Sequence, residues 1–269
     1  FKSATCVAPI NDIRGMEAMG YAKGEKLLRC KLGAVFRLID LYGWTQSTNT
    51  LITARLNQDE EQFLVNPYGV LFHEITASSL MRCDIRGGIL EQGTTNFQLN
   101  LAAFSMHAAV HAARPDLKCI IQVQTPSIVA VSALKQGLLP LSADFAVLGE
   151  VSMHTYCAVG GAILDDNEKE KLTRNLGPNN KVLLLHNFGA LCGGATVEEA
   201  FFNARHTVLA ADAQIKLLPV GLDNLILLTD DQRKKLYEQA HRAPDSSPRI
   251  DAPSVLEAKV ERGWRVGGI

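Results

Sequence analysis

The chain has 269 residues, 47% of them hydrophobic, with a formal net charge of −1 at pH 7 and seven histidines. This length and apolar content suffice for one large domain with a sizeable core. A charge near zero argues against a diffuse electrostatic attraction to nucleic acid or to anionic lipid, so we expect no nucleic-acid partner. No apolar run approaches the roughly 18 residues of a membrane span. We therefore expect no transmembrane segment and no signal peptide.

The cysteines indicate a reducing environment. Six are scattered without C-x-x-C spacing, and most lie inside apolar runs, which is typical of buried, reduced thiols in a cytosolic protein. They are Cys6, Cys30, Cys83, Cys119, Cys157 and Cys192. We expect no disulfide framework. Because the sequence starts at Phe1 without an initiator methionine, we also expect a fragment of a longer protein.

The first part of the chain predicts one helix and two hairpins. Apolar residues recur at intervals of three and four between Tyr21 and Tyr42, which indicates an amphipathic helix. Two strand-like runs, 50–56 and 62–65, are joined by polar residues and predict a hairpin. A second hairpin is predicted over 80–90.

The centre of the chain predicts a helix followed by a short apolar strand. The helix should end near Ala113, because Pro115 fixes its own φ and moves the preceding residue out of the helical region. The strand covers 118–124. Since side chains alternate between the faces of a strand, Gln122 and Gln124 point the same way. Two amides are therefore expected side by side at the end of this strand.

The second half predicts further elements. Residues 127–134 form a helix, a loop carries His154 and Tyr156, and 165–176 form a charged surface helix that ends at a glycine. A buried strand covers 181–186. Thr196 and Glu199 then have the spacing of a capping box, which predicts a helix extending to about Leu218.

A family resemblance follows from the central unit. The run from His107 to Asp116, the apolar strand after it and the turn at Thr125-Pro126 resemble the class II aldolase and adducin family. The resemblance covers roughly residues 26–228. It implies an α/β fold: a class II aldolase-like α/β/α layered sandwich with a central mixed, largely antiparallel sheet.

The same resemblance points to the family's metal site. Its aldolases bind zinc through an H-x-H pair at the end of this strand and a third histidine in a later N-H-G, and a glutamate four residues before the helix histidine is catalytic. Here Gln122 and Gln124 occupy the pair, Phe188 the third histidine and Ala103 the glutamate. Amides, a phenyl ring and a methyl group do not replace imidazole and carboxylate. The resemblance therefore implies no metal, no cofactor and no catalytic residue.

The family's phosphate loop is changed as well. Its aldolases enter the first strand through a G-N-x-S-x-R loop that helps to cradle a substrate phosphate. Here residues 50–55 keep Arg55, but Leu51 stands where the asparagine belongs, and a leucine side chain offers no hydrogen-bond donor. Leu101 and Ala102 stand where the family has serines. We therefore interpret one set of residues as degenerate aldolase-pocket positions: Leu51, Ala103, Gln122, Gln124 and Phe188.

Alternatives remain open for these residues. His107 and His111 lie four apart on one helical face, a spacing that can chelate zinc, which would favour a zinc-dependent aldolase-like lyase acting through an enediolate. The competing interpretation is that both are packed histidines. Gln122 and Gln124 are then ordinary hydrogen-bonded amides. A third hypothesis is a pseudoenzyme whose remodelled pocket binds a small ligand.

Several segments resemble the adducin branch of the family, specifically an invertebrate head with the start of the neck: 176–178, 197–201, 219–225 and 264–268. Adducins are membrane-skeleton proteins that cap actin filaments and recruit spectrin to actin, largely through the neck and a basic tail. The resemblance therefore implies a non-catalytic, self-associating head, as homo- or hetero-oligomer. It further implies F-actin and spectrin as partners of the intact protein, with calmodulin as a candidate partner, at the cytoplasmic face of the plasma membrane.

The composition divides the chain into three parts. Residues 1–25 are a weakly ordered lead, 26–238 form the aldolase-like head, and 239–269 are a linker and the start of the neck. The last boundary rests on the polar, proline-interrupted run at 242–248.

Overall fold

A computed structural model describes residues 9–15, 20–22, 24–45, 50–57, 60–156 and 163–241. Within them, eight strands form one sheet with helices on both faces. The strands are β1 Ile52–Asn57, β2 Gln62–Val65, β3 Met81–Cys83, β4 Ile89–Glu91, β5 Cys119–Val123, β6 Val151–His154, β7 Val182–Leu185 and β8 Gly189–Gly194. The helices are α1 Glu25–Leu41, α2 Leu101–Ala113, α3 Pro126–Ser132, α4 Ala143–Ala146, α5 Asp166–Leu176, α6 Val197–Leu217 and α7 Asp230–His241.

The sheet is mixed and largely antiparallel, as predicted. Its strand order is β4-β3-β2-β1-β5-β8-β7-β6. Only β6 and β7 pair in parallel among the described strands, and every other neighbouring pair is antiparallel. Both predicted hairpins are present: Thr53 pairs with Val65 in the first, and Arg82 pairs with Glu91 in the second.

The two faces of β5 enter different cores, which gives the predicted α/β/α layers. Ile121 and Val123 lie in a core built with α1, α3 and α6, whereas Ile120 lies on the other face against α2 and α5. This alternation is the period of two expected of a strand. Gln122 shares the face of Ile120 and is buried beside α2.

The helix ends follow the local chemistry of the sequence. Helix α2 ends at Ala113, and Asn100 caps its first turn by accepting from the N–H of Ala103 at 3.2 Å. At α6, Thr196 accepts from the N–H of Glu199 at 3.1 Å. The Glu199 carboxylate returns to the N–H of Ala195 at 2.6 Å, one residue earlier than a standard capping box.

Four elements correct or extend the sequence prediction. His154 lies on strand β6 and not in a loop, because β6 pairs in parallel with β7. No element was predicted where strand β8 and the helices α4 and α7 lie. Helix α7 crosses the proposed boundary after residue 238, and Ile10 and Ile13 of the N-terminal lead are buried. The three-part division of the chain stays a prediction, and most of its last part lies outside the described residues.

The described cysteines are free and buried: Cys30, Cys83, Cys119 and Cys192. Burial raises the pKa of the Cys83 and Cys192 thiols to about 12, so they are unreactive at neutral pH. Cys6 and Cys157 lie outside the described residues. In the described part of the chain, no helix has the length and apolar character needed to cross a bilayer.

Candidate functional site

Two histidines of α2 are tied together by one hydroxyl group from β1. His107 and His111 are four residues apart, and both side chains are fully buried under the sheet. The Oγ1 of Thr53 lies 2.9 Å from Nδ1 of His107 and 2.8 Å from Nε2 of His111. The other ring nitrogen of His111 lies 2.9 Å from the carbonyl oxygen of Leu117. The two imidazoles are therefore packed around Thr53, as the competing interpretation of this pair expected.

The two glutamines of β5 form a second hydrogen-bonded group beside the histidines. Nε2 of Gln122 donates to Oε1 of Gln124 at 3.1 Å, so the amides are adjacent as the strand period predicted. Nε2 of Gln124 donates to the carbonyl oxygen of Phe188 at 3.4 Å. Thr53, the two histidines and the two glutamines form what we call the polar chain. Its order is His111, Thr53, His107, Gln122 and Gln124.

Burial keeps the histidines of the polar chain neutral. It lowers the pKa of His107 to about 3, against a smaller opposing effect of the Gln122 side chain. The pKa of His111 is held well below its usual value, first by burial and then by the nearby His107 and Arg55. The polar chain therefore carries no charge at neutral pH.

Two further degenerate positions, Leu51 and Ala103, belong to an apolar cluster on the same face of the sheet. Leu51 and Ala103 are buried in it together. The cluster contains Leu51, Phe63, Val65, Met81, Cys83, Leu99, Ala103, Phe104 and Ala108. The backbone N–H of Gln122 donates to the carbonyl oxygen of Leu51 at 3.1 Å, so the cluster and the polar chain are direct neighbours.

Phe188 lies in the turn between β7 and β8. Its ring is half-buried and lies 4.5 Å from the ring of Tyr156, between centroids. Asn187 has a φ of 58°, and a Cβ added to Gly189 would lie 2.5 Å from the carbonyl oxygen of Val123. Glycine at 189 is thus required by the close approach of β5, whatever residue stands at 188.

Arg55, the arginine retained from the family's phosphate loop, is turned toward α2. Its Nη2 donates to the carbonyl oxygen of His111 at 2.7 Å, and its guanidinium carbon lies 4.8 Å from the centroid of the Phe63 ring. Burial lowers the pKa of Arg55. This side chain closes the end of α2, where cations interact favourably with the last carbonyl groups.

These donors do not fit zinc. The side chains at the predicted metal positions are two amides that bond to each other, a phenyl ring and a methyl group, whereas zinc prefers imidazole, thiolate or carboxylate. Both nitrogens of His111 and one of His107 are already hydrogen-bonded. Among the described residues, no group of three or more His, Cys, Asp or Glu side chains is placed to hold a metal ion.

Two relationships were not apparent from the sequence. By the resemblance, Thr53 would stand at the serine position of the family's phosphate loop, and that expected correspondence is the sequence signal for its place in this site. His154 and His186 end the parallel strands β6 and β7, where the N–H of His186 donates to the carbonyl oxygen of His154 at 2.9 Å. Nδ1 of His154 lies 2.9 Å from Nδ2 of Asn175. This contact indicates that His154 has a structural role.

The chain is similar to curated adducins over most of its length. It is 59% identical to the protein hu-li tai shao of Drosophila melanogaster, covering 100% of this chain and 24% of that protein. It is 47% identical to alpha-adducin of Rattus norvegicus, covering 88% of this chain and 32% of that protein. The chain thus spans between a quarter and a third of the relatives it matches. The higher identity to the insect protein agrees with the expected invertebrate type.

Solved structures show the same fold. An aldolase II superfamily protein from Pseudomonas syringae has a TM-score of 0.82 at 35% identity, covering 94% of this chain and 98% of that one. L-fuculose 1-phosphate aldolase from Glaciozyma antarctica has a TM-score of 0.74 at 22% identity, covering 90% of this chain and 89% of that one, which supports the fold alone. The family model described as "Class II Aldolase and Adducin N-terminal domain" matches residues 30–215, and the chain belongs to this family.

Proposed function

We propose that this chain is the non-catalytic head of an adducin-type protein. The observation that carries the proposal is the chemistry at the five degenerate positions. Two of them are buried in an apolar cluster, two are amides bonded to each other, and the fifth is a phenyl ring packed on Tyr156. A class II aldolase needs a metal to stabilise an enediolate and a group to move the proton. Neither requirement is met by these side chains.

The head then acts as a scaffold for segments elsewhere in the intact protein. By the adducin resemblance, these segments cap actin filaments and promote association of spectrin with actin, with calmodulin as a further partner. The site of action is the cytoplasmic face of the plasma membrane. Because the chain covers only 24% of the insect relative and 32% of rat alpha-adducin, the actin, spectrin and calmodulin contacts are assigned to the intact protein.

Self-association is the part of this function that the head itself performs. The apolar segment 217–227, between α6 and α7, leaves several aliphatic side chains in contact with solvent. They are Leu217 at 38% exposed, Val220 at 55%, Leu222 at 44%, Ile226 at 92% and Leu227 at 47%. Exposed aliphatic side chains gathered along one segment favour a protein interface. A second copy of the head, or the head of a sister subunit, is the occupant we propose.

The test is the zinc content of the purified protein, measured by elemental analysis after dialysis with and without added zinc. We expect no stoichiometric zinc in either sample. A matched variant restores the family's donors through Ala103→Glu, Gln122→His, Gln124→His and Phe188→His, and it shows whether this backbone holds zinc once the ligands are present. Retro-aldol cleavage of L-fuculose 1-phosphate is assayed in parallel.

One zinc ion per chain in the unmodified protein, together with cleavage activity, would overturn the non-catalytic proposal. That result would support the zinc-dependent lyase with His107 as a ligand. Zinc-free, folded protein without activity supports the head as a scaffold. Binding of the sugar phosphate without cleavage would instead favour the ligand-binding pseudoenzyme.

A further inference from the structure

The polar chain ends on a backbone carbonyl oxygen at each end. The carbonyl of Leu117 accepts from the His111 ring, and the carbonyl of Phe188 accepts from the Gln124 amide. A carbonyl oxygen never donates, so the side chains at the two ends, His111 and Gln124, donate outward to these carbonyls. Thr53, His107 and Gln122 lie between them.

A count of hydrogens shows that the polar chain is one donor short. Five neutral side chains each direct one donor along it, which supplies the five hydrogen bonds of the chain and leaves none for the junction between His107 and Gln122. Turning over both amides would let Gln122 donate to His107, but it would move the shortage to Gln124 and Phe188. In the amide orientation of the structure, the junction between His107 and Gln122 therefore joins two acceptors.

The contacts locate the shortage. Nδ1 of His111 carries the proton that Leu117 accepts, so Nε2 of this neutral ring accepts from the Thr53 hydroxyl. The Thr53 oxygen then accepts from Nδ1–H of His107, which leaves Nε2 of His107 as a bare acceptor. Within the described residues, neither this nitrogen nor Oε1 of Gln122 has a hydrogen-bond partner, and both are buried.

A proton on His107 is not the missing donor at neutral pH. Burial lowers the pKa of this ring to about 3. Leaving two buried acceptors unpaired would destabilise the fold. The group that resolves the shortage must donate twice, once to each acceptor, because inserting it creates two contacts. A hydroxyl group, with one hydrogen, does not satisfy this requirement.

We infer that a double hydrogen-bond donor of single-atom size, a water molecule or an ammonium group, binds between Nε2 of His107 and Oε1 of Gln122. A buried water with polar partners of this kind is a normal part of protein interiors. Water is favoured over ammonium because the Arg55 guanidinium already places a positive charge beside His111, the other histidine of the polar chain. This site does not depend on the proposed function, since it follows from the polar chain alone.

The first experiment determines the histidine tautomers by ¹⁵N NMR and the site contents by crystallography at atomic resolution, without ammonium salts. We expect both rings to be protonated at Nδ1 only, with one density peak within hydrogen-bond distance of Nε2 of His107 and Oε1 of Gln122. Repetition with ¹⁵N-ammonium distinguishes the two donors, because bound ammonium gives its own nitrogen signal. Absence of the density peak would overturn the inference, whether the His107 ring is protonated at Nε2 or accepts directly from a turned-over Gln122 amide.

The second experiment uses the variant Gln124→Met. This variant removes the Gln124 donor together with its contacts to Gln122 and Phe188, which leaves four donors for four contacts. Gln122 is then free to turn over and donate directly to Nε2 of His107. We expect loss of the density peak and the appearance of a two-bond ¹⁵N–¹⁵N coupling between these side chains. Gln62→Met, on strand β2 and outside the polar chain, is the matched control and keeps the peak. Retention of the peak in the Gln124 variant would contradict the donor count.

Discussion

The backbone N–H of Gln122 donates to the carbonyl oxygen of Leu51 at 3.1 Å. This hydrogen bond joins β5 to the entry of β1, and it places the apolar cluster directly beside the polar chain. The proposed loss of the phosphate loop at Leu51 and of the metal pair at Gln122 therefore concerns one continuous region. We expect the buried side chains of this region to contribute measurably to the free energy of unfolding.

Replacement of Thr53 by valine should destabilise the head strongly. The variant removes the hydroxyl group that bonds both His107 and His111, so two buried ring nitrogens lose their partner at roughly 1–3 kcal/mol each. We expect the free energy of unfolding, measured in urea, to fall by more than about 2 kcal/mol. Thr50→Val is the matched control, because the buried hydroxyl of Thr50 makes no hydrogen bond within the described residues. Equal effects of both variants would contradict the role of Thr53.

The two buried histidines should make the protein less stable in mild acid. Their pKa values are lowered in the folded state, to about 3 for His107 and well below 6.5 for His111, so the unfolded chain binds more protons between these values and about 6.5. Stability contributed by neutral histidine is therefore complete above pH 6.5 and falls as the pH falls, by up to about 1.4 kcal/mol per pH unit for each group.

The slope of unfolding free energy against pH, measured from pH 7.5 to 5, tests this expectation. His107→Gln should reduce this slope by up to about 1.4 kcal/mol per pH unit, which is the contribution of one bound proton. This expectation holds whatever the effect of the variant on absolute stability. His73→Gln, at a half-exposed ring beside Asp40, is the control and should leave most of the slope unchanged. An identical slope in the His107 variant would mean that this ring is not buried as a neutral group.

Glycine at 189 should be indispensable for the turn that carries Phe188. A methyl group there would lie 2.5 Å from the carbonyl oxygen of Val123 and 2.9 Å from Cγ of Gln124, so β8 must move away from β5. Gly189→Ala is expected to cost roughly 1–3 kcal/mol of unfolding free energy. Gly20→Ala, where an added Cβ has no neighbour within 4 Å, should be nearly neutral. Thermal unfolding of both variants decides the comparison.

A buried ion cluster should hold α1 against the second hairpin. Arg29 and Glu25 are fully buried, 2.8 Å apart, and Arg29 also lies 3.0 Å from Glu91. Arg29→Met leaves Glu25 buried without this partner, which should cost about 3–5 kcal/mol. The double variant with Glu25→Leu should recover most of that loss, because it removes both buried charges. A double variant no more stable than Arg29→Met would contradict this account.

Ile226→Asp should weaken self-association without unfolding the head. Ile226 is 92% exposed, so the variant removes no core contact but places a charge within the apolar segment 217–227. We expect a shift to lower mass in light scattering at micromolar concentration, with an unchanged unfolding curve. Leu41→Asp, at a 79% exposed position at the end of α1, is the control for adding an aspartate elsewhere. A monomeric unmodified head would contradict self-association itself.

Local chemistry explains why much of the fold was predictable. Pro115 ends α2 at Ala113, and Thr196 starts α6, because each acts on the backbone within a few residues. Strand β8 was not predicted because its sequence, Gly189–Gly194, contains three glycines and no β-branched residue. It is a strand since β5 and β7 pair with it on both sides. Tertiary pairing overrides propensity there.

The sequence by itself determined that Gln122 and Gln124 share one face, since this follows from residue identity and strand period. Its assignment of side chains to the aldolase positions stays a prediction. Only the tertiary structure decided that Thr53 bonds both His107 and His111. The hydroxyl and the rings lie 54 and 58 residues apart in the chain, and they meet because β1 pairs with β5 beneath α2. Hydrogen-bond partners at such separations depend on packing, which local sequence does not encode.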